Sequence, residues 1–216
     1  MCYNSAMPKV VSHEEQRKRI AEAMWRVILK SGMEGATVRK IAAEAGMSAG
    51  ALRHYFNNQD DLLVYAMRLV NERVEQRIMR LVPEDLPPAE KAVRLLLEVV
   101  PLDAERRAEM DVWFSFMEYV RHRRDLAGLP ENRLHQFISL VVSFLDREGA
   151  LREGLDLALE TERLYAIVDG LAVHALLEPG RLRPDVMARV VRASIDQICR
   201  QPDQSLGSAR GTESPQ

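Results

Sequence analysis

The chain has 216 residues, 47% of them apolar and 29% charged, with a formal net charge of −2. That balance is the one expected of a soluble globular protein, and no apolar run approaches the roughly 18 residues of a bilayer span. The two cysteines, Cys2 and Cys199, sit at opposite ends and form no metal or redox spacing.

The N-terminus, MCYNSAMPKVVSHEEQ, lacks the apolar stretch of a signal peptide, so a cytoplasmic location is expected. Charge is unevenly divided. Residues 1–60 hold nine Lys/Arg and six Asp/Glu (+3), and residues 61–216 hold 21 and 26 (−5). A mildly basic head on an acidic body directs any polyanionic partner to the N-terminus.

The predicted elements are helices nearly throughout, without a convincing strand. Residues 1–11 form an arm. Ser12-His13-Glu14-Glu15 is a capping box, and Ile20, Met24, Val27 and Ile28 follow on one face until Gly32 stops the run. Thr37 caps a short second helix, VRKIAAEA, after which Gly46 supplies a left-handed turn and Ser48 caps a third helix. Asn58 opens a longer fourth helix running to about Leu81, with Asp60 and Asp61 suiting its dipole. Beyond VPEDLPP, helices are expected over 88–100, 104–125, 130–148, 157–178 and 184–200. Pro130 and Pro184 stand where a first turn tolerates a missing N–H. Residues 202–216 form a polar tail with the composition of disorder.

Two short helices around a tight Ala45-Gly46-Met47-Ser48 turn make a helix-turn-helix pattern. At about 100° per residue, Leu52 and Phe56 share the inward face, and Gly50 and His54 point away, flanked by Ala51 and Arg53. The small residues at the start let the backbone approach base edges, and hydrogen-bonding groups follow.

The stretch TVRKIAAEAGMSAGALRHYFNNQDDLL, Thr37 through Leu63, resembles the TetR family of bacterial transcriptional repressors, and the likeness extends over roughly residues 13–65. The resemblance implies an all-α, nine-helix architecture. A helix-turn-helix head over 12–62 would precede a helical ligand-binding and dimerisation domain over 63–201. It also implies roles in DNA binding. Thr37 and Arg39 would hold phosphates, helped by the helix N-terminus at Ser48. Ala49, Gly50, Ala51, Arg53 and His54 would face the bases, and Tyr55 would brace the backbone. Two residues depart from the family pattern: Arg53 replaces a usual Tyr, and Gln59 replaces a usual Lys that would hold a phosphate. A groove-facing Arg pairs most often with guanine, so guanine is expected in each half-site of a palindromic double-stranded operator.

The run ETERLYAIVDGLAVHALLEPG resembles the subset that contains the betaine-pathway regulator BetI. A helix this apolar on every side is buried on every side. By the family's habit it and the last helix pair with their copies in the symmetric four-helix bundle of a homodimer, giving Leu164, Val168, Leu171, Ala175, Met187, Val191, Ser194 and Ile198 as the expected interface. The aromatic segment MDVWFSFMEYV, residues 110–120, is either a pocket wall or an ordinary core. As a pocket it would be lined by Trp113, Phe116, Met117, Phe137 and Val141, with Asp169 as an acidic partner, and would suit a cationic or amphipathic effector. Asp169 could instead hydrogen-bond across the dimer. His122, His135 and His174 fall on three helices without ligand spacing, so no metal or cofactor is expected. RHRR, residues 121–124, reads as a cationic helix end.

The function expected is sequence-specific repression relieved by a small molecule. The alternative is a DNA-binding protein of the same family without an effector, governed by a protein partner or acting architecturally. Enzymatic spacings are lacking.

Overall fold

A computed structural model describes residues 12–121, 133–178 and 180–200. The expected arm and tail, Cys2, His122, Pro130 and most of RHRR lie outside the described residues.

Nine helices are described: α1 (His13–Gly35), α2 (Val38–Glu44), α3 (Ala49–Leu52), α4 (Gln59–Leu81), α5 (Pro88–Leu97), α6 (Ala104–Arg121), α7 (Arg133–Arg147), α8 (Leu157–Leu177) and α9 (Pro184–Ile198). Their starts follow from side chains that satisfy orphan N–H groups. The Ser12 hydroxyl accepts from the Glu15 N–H, and the Glu15 carboxylate accepts from the Ser12 N–H, each at 3.1 Å. Thr37, Ser48 and Asn58 cap α2, α3 and α4 in the same way. Pro184 stands in the first turn of α9. Gly32 breaks the α1 geometry with φ +67°, after which the chain resumes one more turn to Gly35. Gly46 takes φ +70° between α2 and α3, a conformation that a side chain would strain.

The helices bury two apolar clusters. The first joins Ile20, Met24, Ile41, Leu52, Phe56, Leu62 and Leu63 of the N-terminal helices, and continues along α4 to Val70. It also takes Val112 and Phe116 from α6. The second is built from α5, α7, α8 and α9 around Leu96, Ile138, Leu145, Leu164, Met187 and Ile195. α4 runs unbroken through residue 62, so packing does not pause at the expected edge of the head.

The eight residues expected to form a dimer face belong to this second core or its edge. Leu164, Val168, Ala175, Met187, Val191, Ser194 and Ile198 are buried within the single chain, and Leu171 retains only 9% exposure. Their first use is thus in the chain's own core, which leaves them little area to offer a partner. Along a different stripe Leu159, Ala166 and Leu177 of α8 and Ala193 and Gln197 of α9 are exposed, and Gly170, Val173, Val186 and Val190 between them are half-buried.

Candidate nucleic-acid interface and effector cavity

The helix-turn-helix is clamped by charge as well as by its core. Glu44, at the end of α2, takes Arg26 at 2.7 Å and Lys30 at 3.0 Å from α1, and the Arg26 hydrogen bond leads in holding its carboxyl below the usual range. α3 is a single turn. The backbone then tightens, with His54 N–H donating to Ala51 O and Tyr55 N–H to Leu52 O. Leu52 and Phe56 are buried as the helical wheel requires.

None of the residues expected on the DNA face is buried. Thr37, Arg39, Ser48, Gly50, Arg53 and His54 are exposed, and Ala49, Ala51, Tyr55 and Gln59 are half-buried around them. Thr37 and Ser48 are occupied as caps through their hydroxyls. Arg39 and Arg53 form no ion pair with a described residue, whereas Arg26, Arg68 and Arg73 nearby are each paired with a glutamate. Unpaired guanidinium groups beside a cluster of small residues suit phosphate and base-edge contact.

A brace for this surface comes from α1. The His13 ring lies 4.9 Å from the ring of Tyr55. Arg17 sits over Phe56 at 4.8 Å and over Tyr65 at 4.4 Å. Tyr65 donates to Glu14 at 2.7 Å, and burial with that acceptor pushes its hydroxyl pKa up. Sequence periodicity could not reveal this brace, because its members are polar or aromatic residues from three elements.

A cavity of about 490 Å³ lies between α4, the end of α5, α6, α7 and α8. Of the six residues expected there, Trp113, Phe137 and Asp169 line it. The other three are corrected. Phe116 is buried in the first core and Val141 in the second, and Met117 faces outward with 42% exposure. The helical wheel gave α6 a single aromatic face, but its two sides meet different neighbours. Missing from the expectation was α4, whose Val70, Val74, Ile78 and Met79 form one wall. The length of that helix and its apolar spacing beyond Leu69 were the available signal.

An ion cluster closes one side of the cavity. Arg77 donates to Glu109 at 2.7 and 2.9 Å and to Glu98 at 2.9 Å, and Arg106 donates to Glu98 at 2.7 Å and also meets Asp103. The Glu109 hydrogen bond leads in pushing the Arg77 pKa up against the desolvation of burial. Asp169 differs. It has no hydrogen bond or ion pair with a described residue, and burial alone raises its carboxyl above the ordinary range. At the other end of α6 the Tyr119 hydroxyl donates to Asp60 at 2.9 Å, in the first turn of α4.

His135 pairs with Glu162 at 2.9 Å and His174 contacts Glu178 at 3.3 Å, each within its own surface neighbourhood. Among the described residues no group of three His, Cys, Asp or Glu side chains could hold a metal ion. No described helix is long and apolar enough to cross a membrane.

Comparison with known proteins agrees with this geometry. The family model of bacterial regulatory proteins of the tetR family matches residues 20–66. The model of the BetI-type transcriptional repressor C-terminal domain matches residues 88–200. The HTH-type transcriptional regulator PksA of Bacillus subtilis is 48% identical over 193 residues, covering 89% of this chain and 94% of its own length. BetI of Stenotrophomonas maltophilia is 27% identical over 191 residues, covering 88% and 96%. Among solved structures, a transcriptional regulator from Saccharomonospora viridis in complex with choline superposes with a TM-score of 0.77 at 26% identity, covering 87% of this chain and 100% of that one. A transcriptional regulator from Rhodococcus sp. RHA1 gives 0.74 at 28% identity, covering 84% and 95%. The chain belongs to the TetR family of bacterial transcriptional regulators, a DNA-binding protein with a BetI-type C-terminal half.

Proposed function

We propose that the protein is a homodimeric repressor released from a palindromic operator by a small organic effector bound in the α4–α8 cavity. One observation carries this reading. α6 lines the cavity through Glu109, Met110 and Trp113, and places Val112 and Phe116 in the core of the DNA-facing head. A ligand that favours one position of α6 therefore biases the head. It can do so only through unequal affinity for the two arrangements. The Tyr119–Asp60 bond adds a polar tie along the same route.

On DNA, Arg39 and Thr37 serve the phosphates and Arg53 reads guanine in each half-site. Two heads are needed because one presents few base contacts, and half-sites then lie about 34 Å apart, one helical turn. The dimer face is the uncovered stripe of α8 and α9, where Ala166 and Gly170 permit close approach. The effector is cationic or amphipathic, as the apolar walls and Asp169 favour and as the choline complex of the Saccharomonospora viridis regulator supports. The cavity favours an effector over control by a protein partner alone.

The test is selection of bound DNA from a random pool, followed by titration of the selected site with quaternary ammonium compounds. A palindrome with G·C at a fixed half-site position, released by such a compound, is expected. A pool without enrichment overturns the reading.

A further inference from the structure

The cavity holds more acid than it offers. Glu75, Glu98, Glu109 and Asp169 all line it, which at first sight describes a site for a polycation. Three of them are already answered from within the chain. Arg133 meets Glu75 at 2.7 Å, Arg77 meets Glu109 at 2.7 Å, and Glu98 bridges Arg77 and Arg106. Asp169 alone has no charge partner among the described residues. The cavity therefore presents one available carboxylate.

Much of its remaining lining is apolar, with Asn71 and Gln136 interspersed, and on α4 it extends from Val70 to Met79, about 13 Å of helix. Val74, Ile78, Trp113 and Phe137 line it together with the half-buried Asp169, and Met79 and Leu140 line it while 69% and 66% exposed, which puts them at its open side. A volume of about 490 Å³ falls within the range of about 300–1,000 Å³ typical of drug-sized ligands. A cation as small as choline leaves most of such a space unfilled.

Resting on the reading above that this cavity is the effector site, we infer that the effector is an elongated organic monocation. Its positive head meets Asp169, and its apolar tail lies along α4 and α7 toward Met79 and Leu140. The Trp113 ring supplies a further surface for the head or the first methylenes. A dication fails because its second ammonium replaces the apolar end that would cover Met79 and Leu140, and Glu75 there is already met by Arg133. An anion fails because the lining arginines already bond carboxylates and Asp169 repels it. Each methylene brought out of water adds about fourfold to affinity, so tail length, and not the head alone, sets selectivity.

Calorimetric titration of the full chain with octyltrimethylammonium, choline, 1,8-diaminooctane and octanoate tests this below micellar concentrations. Octyltrimethylammonium should bind at least tenfold more tightly than each of the other three. Asp169→Asn should cost it at least tenfold while leaving 1-octanol binding unchanged, and Asp169→Glu should restore part of the loss. Leu140→Ser, at an exposed position, should narrow the octyl-to-choline ratio without weakening choline. Tighter or equal binding of the diamine, of octanoate or of choline overturns the inference. So does full affinity in Asp169→Asn, or no binding of octyltrimethylammonium at all. The regulatory reading is judged separately on operator affinity. Asp169-dependent binding that leaves the operator complex intact supports the monocation site and sinks the regulatory role. Operator release by an anion does the reverse.

Discussion

Arg53 and Asp169 each lack an ion-pair partner among the described residues, and each is placed where an outside partner could meet it. Arg53 is exposed, has no ion pair among the described residues and is adjacent to the small residues of α3. Its replacement by Ala should weaken operator binding by about 1–3 kcal/mol and relax preference at one base pair. Equal weakening on every sequence, with a shallower salt dependence, would make it a phosphate contact instead. Asp169 has its pKa raised by burial, with no compensating cation among the described residues. A carboxyl whose pKa is higher folded than unfolded loses its stabilising effect as pH rises through the folded value. Asp169→Asn should therefore raise the melting temperature at neutral pH, and the gain should vanish below about pH 3.9, where the unfolded group is protonated too. A gain independent of pH would show that the effect is not one of ionisation. Both residues were legible in the sequence, Arg53 as a departure from the family pattern and Asp169 as a lone acid in an apolar helix. Phe116, Met117 and Val141 were not, because their residue types admit several neighbours and only the packing of α6 and α7 selects among them.

At the scale of elements, local chemistry was the readable part. Ser12, Thr37, Ser48 and Asn58 each announce a helix start, and each side chain does accept the expected N–H. Replacing Asn58 by Ala should cost about 0.5–2 kcal/mol in urea unfolding and loosen the start of α4 beside the reading turn. The Arg77 cluster was hidden, since its members come from α4, the end of α5 and α6, and no periodic pattern links them. Arg77 is 18% exposed and Glu109 7%, so Arg77→Met strands a buried carboxylate. It should destabilise the chain by about 3–5 kcal/mol, and adding Glu109→Gln should recover part of that loss. Independent, additive effects in the double variant would indicate that the two side chains are not coupled. The face of α8 that packs inside the chain was hidden for a related reason. The most apolar residues were assigned to a partner, whereas the chain's own core has the first use of them.

At the scale of the molecule, dimerisation has a clean probe. Gly170 lies on the uncovered side of α8, and a side chain there would meet nothing within 4 Å in the single chain. Gly170→Leu should leave folding of the chain intact, raise the dimer dissociation constant by at least tenfold, and weaken the operator complex with it. Sedimentation equilibrium beside circular dichroism checks both halves. A dimer of unchanged strength would move the interface elsewhere.

The anchoring of Val112 and Phe116 in the N-terminal core has an engineering consequence. Regulators of this kind invite recombination, one protein's operator choice joined to another's sensor, and residue 62 looks like the natural place to cut. A splice there would sever α4 in its first turn and leave the transplanted head facing a foreign α6. The smallest portable unit is discontinuous, the N-terminal helices together with the α6 face that completes them. Hybrids that import both should retain operator affinity and those that import only the first should lose it, which makes the seam between sensing and reading a surface and not a point in the sequence.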